Sequence, residues 1–146
     1  AATFSQAGIP CEACTDLARI RWEKLVWNIP FNGLCALTGL PTDRLLKCPE
    51  TRQLITELMQ EVVDAANRQN LSQPIAGPDF IERMLQVTAG MGAYRPSMMI
   101  DRLNRQPLEL EAIYQVPQQR AAAAGTPMTR VAMLYALLAA TESNSD

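Results

Sequence analysis

The sequence predicts an all-α protein, and three observations carry that prediction. Apolar residues recur at three- and four-residue spacing in separate segments, such as Leu54, Leu58, Val62 and Ala65, or Val131, Leu134 and Leu138. No run alternates apolar and polar residues for long enough to make a convincing strand. The stretch from Leu25 to Thr42 carries no charge at all and reads as buried, its helical part being apolar around most of its circumference.

Residues 1–14 read as an extended lead-in, because Gly8 and Pro10 stand too close together for a helix interior. Thr15-Asp16 is the expected N-cap of a long first helix running to Leu37 or Thr38 and stopping at Gly39. Pro30 lies inside it, lacks an N–H and predicts a kink between Val26 and Pro30. Gly33 weakens the helix locally and leaves room for another segment to approach its backbone.

Lys24, Asn28 and Asn32 follow one another at i, i+4 and i+8, so they share one face and drift by about 40° per step. Trp22, Val26 and Ile29 fall on the opposite face. Asparagine is a poorer helix former than the Glu, Lys, Gln or Arg of an ordinary solvated stripe. Two amides in a buried helix need partners, since one left unpaired costs about 1–3 kcal/mol. Backbone, ordered water and a polar ligand are all open as partners.

The later elements follow from punctuation and stripe. Thr42 or Asp43 caps a short helix, and Pro49 opens another whose apolar positions continue to about residue 69. Asn70 to Pro74 is a loop. Gly77-Pro78-Asp79 starts a helix reaching about Met91, and Pro96 opens a short one over 96–104. Residues 108–124 resume as helix, with Leu110, Ile113 and Tyr114 inward, an interruption at Pro117 and a stop at Gly125. The last helix runs from Pro127 to about Thr141, and residues 142–146 form a frayed tail.

Composition narrows the function. The 146 residues fit one domain, and 48% hydrophobic content supplies a core. A net charge of −2 argues against nucleic acid. No apolar run approaches a membrane span, and no signal-peptide pattern is visible, so neither is expected. There is no Gly-x-Gly-x-x-Gly. Cys11-x-x-Cys14 has no matching second pair and the chain has no His, so no metal site is expected; Cys35 reads as a small core hydrophobe.

Three blocks carry a resemblance. They are Lys24-Leu25, Asn28, Asn32 and Cys35-Ala36-Leu37; then Ser97-Met98-Met99 with Asp101 and Glu109; then Gly125-Thr126-Pro127. In this order they resemble the ketopantoate reductase (2-dehydropantoate 2-reductase) family, whose C-terminal helical domain they almost span. The resemblance implies a multi-helix domain of the 6-phosphogluconate dehydrogenase C-terminal-like type. Residues 1–14 would then lead in from a missing N-terminal nucleotide-binding domain, and 15–141 would be the helical substrate and catalytic domain.

The resemblance also implies roles. Lys24 is the catalytic acid at the ketone oxygen. Asn28 and Asn32 bind the substrate hydroxyl, and Ser97 the substrate carboxylate. Glu109 contacts both substrate and cofactor. On a regular helix Glu111 would point about 200° away from Glu109, so only one of the two would face the site. The sequence departs from the family pattern at Thr42, where Asn is common, and at Gln115, where Gly is usual.

The implied cofactor is NADPH, held mainly by a Rossmann-type N-terminal domain of the same protein. The implied substrate is a small 2-oxo acid, the setting pantothenate biosynthesis in the cytoplasm. A Cys11–Cys14 disulfide is not expected there. The chain by itself is expected to be inactive, and a homodimer is left open. The competing readings are a reductase of another 2-oxo acid and a non-catalytic helical assembly module. No nucleic acid and no membrane are expected as partners.

Overall fold

The computed structural model describes the backbone of residues 9–143 and the side chains of residues 16–143. Seven α-helices follow in order: α1 (Ile9–Thr38), α2 (Thr42–Lys47), α3 (Pro49–Ala66), α4 (Gly77–Ala89), α5 (Ser97–Leu103), α6 (Val116–Ala123) and α7 (Thr129–Ser143). A π-helical turn, Glu111–Gln115, leads directly into α6. Among the described residues there is no strand.

The all-α expectation is met, with differences at element ends that have physical causes. The first helix begins at Ile9, not at Thr15-Asp16. Pro10 stands in its first turn, where its missing N–H costs nothing because that N–H would lack a helical partner anyway. Thr42 does not cap α2. Pro41 is the N-cap residue, and Thr42 is buried inside the first turn. Its N–H and hydroxyl are taken by the carbonyls of Tyr94 (3.0 Å) and Gly92 (3.2 Å).

The last helix continues through Ser143, so the start of the expected tail is ordered as helix. Glu142 is tied down by accepting from the Leu108 N–H at 3.3 Å. The ends at Gly39 and Gly125 fall where the sequence places them. Gly125, at φ +77°, closes α6 with paired bonds from Gly125 N–H to Ala122 O (3.0 Å) and Thr126 N–H to Ala121 O (2.9 Å).

The first helix is the spine. It packs against α3, α5, α7 and the π turn, and α3 in turn meets α2, α4 and α7. Trp22, Val26 and Ile29 face the core, as their spacing predicts. They share one core with Ile55, Leu58, Met59 and Val62 of α3 and with Val131, Leu134 and Leu138 of α7. The uncharged stretch is buried continuously from Ile29 to Ala36, and it emerges at Thr38 to Leu40.

Candidate functional site

Lys24 and Asn28 sit together on an exposed part of α1. They line two grooves, one on each side of the helix. The first, about 380 Å³, has Trp22, Leu25, Ala112, Val116 and Pro117 as apolar wall, and Arg21 and Arg120 as further cations. Among the described residues no carboxylate lines it. The second, about 580 Å³, runs between α1 and α4 along Trp27, Phe80, Arg83 and Met84. Its wall is fixed by the Trp27 indole N–H, which donates to the Thr88 hydroxyl at 2.9 Å.

The Lys24 side chain is exposed and makes no ion pair among the described residues. Its ammonium is thus available to a ligand in either groove. Asn28 is half-buried and its side-chain oxygen accepts from the Asn32 amide at 3.0 Å. That bond leaves the Asn28 NH₂ to donate elsewhere.

Asn32 lies deeper, at 3% exposure, and lines neither groove. Its oxygen accepts from the Met98 N–H at 3.0 Å and from the Ser97 hydroxyl at 3.4 Å. It therefore caps the start of α5 from α1, and its amide orients Asn28. The question left open for the buried amides is answered for Asn32: its partners are protein groups. Ser97 is exposed and touches this network through Asn32, without lining either Lys24 groove.

Glu109 is exposed and lines a separate cleft with Leu108, Leu110, Glu111, Ala112 and Val116. Ala112 and Val116 are also wall residues of the first Lys24 groove, so the two openings share an edge. Glu109 and Glu111 line the same cleft, contrary to the helical expectation. Glu109 stands before the helix begins, where the 100° step does not apply. Thr42, fully buried and hydrogen-bonded to the 92–94 loop, is presented to no ligand. Among the described residues no group of acids and cysteines could hold a metal ion, and the side chains of Cys11 and Cys14 lie outside them.

Residues that sequence reasoning missed complete the picture. Arg21 is one turn before Lys24, so helical spacing was a usable signal; Arg120 comes from α6 and carried none. Tyr114 is fully buried on the π turn, and its hydroxyl donates to the Ile29 carbonyl of α1 at 2.6 Å. Burial pushes its phenol well above the ordinary range, while a hydrogen bond from the Gly33 N–H works the other way. Pro30 and Gly33 were the signals of that close approach.

With this geometry in place, residues 16–142 match the family described as ketopantoate reductase PanE/ApbA C terminal. The chain belongs to this family. It is similar to the 2-dehydropantoate 2-reductase of Nostoc sp., 41% identical over 132 residues that cover 90% of this chain and 40% of that protein. The Halobacterium salinarum 2-dehydropantoate 2-reductase is 26% identical over 121 residues, covering 83% and 39%.

The crystal structure of 2-dehydropantoate 2-reductase from Geobacter metallireducens superposes with a TM-score of 0.84 at 48% identity, covering 86% of this chain and 42% of that one. A ternary D-mandelate dehydrogenase complex with NADH and anilino(oxo)acetate shares the fold, with a TM-score of 0.76 at 20% identity over 85% of this chain and 51% of that one. This ketopantoate reductase C-terminal domain spans about two fifths of the length of the curated relatives it matches. No described helix is long and apolar enough to cross a membrane.

Proposed function

We propose that this chain is the substrate-side domain of an NADPH-dependent reductase that converts 2-dehydropantoate, or a close 2-oxo acid, to its 2-hydroxy acid in the cytoplasm. The observation that carries the reading is the exposed Lys24, without an ion pair among the described residues, beside Asn28, whose amide is aimed by Asn32. The first groove adds Arg21 and Arg120 with no opposing carboxylate among the described residues, a setting suited to an anion with an apolar body. The names of the relatives, which are oxidoreductases, point the same way.

Reduction of a ketone needs a hydride at carbon and a proton at oxygen. NADPH supplies the hydride when bound, held mainly by a Rossmann-type domain of the same protein. Lys24 does the rest of the acid chemistry. Its ammonium donates a hydrogen bond to the ketone oxygen, stabilises the negative charge growing there, and delivers the proton as the alcohol forms. Asn28 donates its free N–H to the substrate hydroxyl and fixes the face presented. Asn32 acts through Asn28 and the start of α5, and Ser97, held by Asn32, meets the carboxylate. Glu109 contacts substrate and cofactor across the shared edge of the clefts.

The test is NADPH oxidation by the full-length enzyme carrying this domain, with 2-dehydropantoate and a panel of other 2-oxo acids, beside Lys24→Ala. Loss of the general acid is expected to lower kcat by about 10²–10⁴-fold. A parent that turns over none of these substrates, or a Lys24→Ala variant as fast as the parent, would overturn the reading.

A further inference from the structure

The groove between α1 and α4 differs from the first one in what its walls offer. One wall is Ile20 and Trp27, about two turns apart on α1, and the other is Phe80 and Met84, one turn apart on α4. Its charges oppose one another. Arg83 lies over the Phe80 ring at 5.3 Å, and the Glu23 carboxylate is ion-paired to Arg19 at 3.1 Å. The first groove instead adds Arg21 and Arg120 with no carboxylate among the described residues. Lys24 and Asn28 line both.

Trp27 is a fixed part of its groove. The indole N–H donates to the Thr88 hydroxyl at 2.9 Å, and that fully buried hydroxyl donates to the Met84 carbonyl at 2.6 Å. The ring lies 5.1 Å from Phe31 and meets Tyr94 edge-on at 6.1 Å, centroid to centroid. Because the N–H is spent inside the protein, what the half-buried ring offers the groove is apolar surface. Trp27 also stands three residues after Lys24, so the two are neighbours on the surface of α1.

We propose that Trp27 is a specificity-determining residue: its indole receives apolar branches on the carbon next to the ketone, and the enzyme therefore prefers 2-oxo acids branched at C3.

On the reductase reading, on which this assignment rests, the ketone oxygen sits at the Lys24 ammonium. A 2-oxo acid carries its carboxylate and its side chain on opposite sides of that carbonyl. The carboxylate is drawn to the side of Arg21 and Arg120, where no acid among the described residues opposes it. The side chain turns to the other side, and the atoms nearest the ketone meet the residue nearest Lys24. Asn28, on the same edge, is left to a hydroxyl further along that side chain. An indole already anchored through Thr88 loses little freedom when substrate arrives, so its contact area is not offset by ordering.

The test is the full-length enzyme with NADPH and a series that adds methyls at C3: pyruvate, 2-oxobutanoate, 3-methyl-2-oxobutanoate and 3,3-dimethyl-2-oxobutanoate. One such group in an apolar pocket is worth about 10–200-fold, so kcat/KM of the parent should rise along the series by at least about 10-fold. In Trp27→Val the ratio of the last substrate to the first should fall by about 10-fold from the parent value. Trp27→Phe, which keeps an aromatic wall, should hold that ratio within about threefold. General damage to the enzyme cancels in the ratio, because both substrates meet the same protein. A ratio in Trp27→Val within about twofold of the parent, a ratio that rises, or a parent with no preference along the series would overturn the assignment.

If Trp27→Val does not fold, Met84→Ala trims the facing wall at a half-buried position. It should lower the same ratio by about threefold or more, and an unchanged ratio would overturn the assignment. A parent that reduces neither this series nor 2-dehydropantoate removes the reductase reading and the assignment together. Turnover with an unchanged ratio removes the assignment alone.

Discussion

Asn32 shows how one buried side chain does two jobs. Its oxygen caps α5 and its nitrogen orients Asn28, so both ends of the buried amide have protein partners. Cys35, one turn further along α1, is the contrasting case: fully buried among apolar groups, its thiol is pushed up to about 12 from an ordinary value of 9.0 by burial alone. That shift makes a stability prediction with a definite sign. Below about pH 8 the thiol is protonated in both states and contributes no slope. Between 9 and 12 the unfolded chain releases the proton while the folded chain keeps it. The unfolded state then binds fewer protons, and stability falls as pH rises. Urea midpoints of the parent minus those of Cys35→Ala, followed from pH 7 to 11, should be flat at first and then decline. A flat difference throughout would show that Cys35 does not titrate with folding.

The elements explain why the site is where it is. Helix α7 lacks a capping side chain of its own, and Glu61 of α3 takes that place. One carboxylate accepts from the N–H groups of Arg130 (2.9 Å) and Val131 (3.0 Å). It also sits at the positive end of the α7 dipole. Glu61→Ala should therefore cost about 1–2 kcal/mol, read as a lower urea midpoint with an unchanged m-value. Glu61→Gln should cost less, because its carbonyl still accepts. The sequence showed the stripes of α3 and α7, since 3.6-residue spacing is local. It did not show this cap, which joins residues far apart in the chain. The π turn was hidden for a related reason: the sequence marks only an interruption at Pro117 just after Glu111–Gln115, and the close approach of Tyr114 to Gly33 is made by the fold. The register of Glu109 was lost with it, because the argument from helical angles assumed a helix where the chain is still irregular. That Lys24, Asn28 and Asn32 come from one stripe was legible because one helix carries all three; that Arg120 lines the same groove as Lys24 was not, because only the fold brings α6 there.

At the scale of the whole molecule, the two grooves beside Lys24 open outward from α1 and are walled on one side by α4 and on the other by the π turn and α6. The described residues offer no strand and no glycine-rich strand–turn–helix, the element that cradles a dinucleotide diphosphate in Rossmann-type folds. On the proposed reading the domain supplies the acid and the substrate donors, and the larger part of cofactor binding falls to a second domain that would face these grooves. Differential binding of the transition state requires both reactants to be fixed at once. The 146-residue chain alone should accordingly show helical circular dichroism and cooperative unfolding, yet give no NADPH oxidation with 2-dehydropantoate at concentrations where the full-length enzyme turns over readily. Turnover by the chain alone that disappears in Lys24→Ala would mean that α1 and its grooves bind both the nicotinamide and the ketone unaided. The division of labour between two domains would then be wrong, even with the role of Lys24 intact.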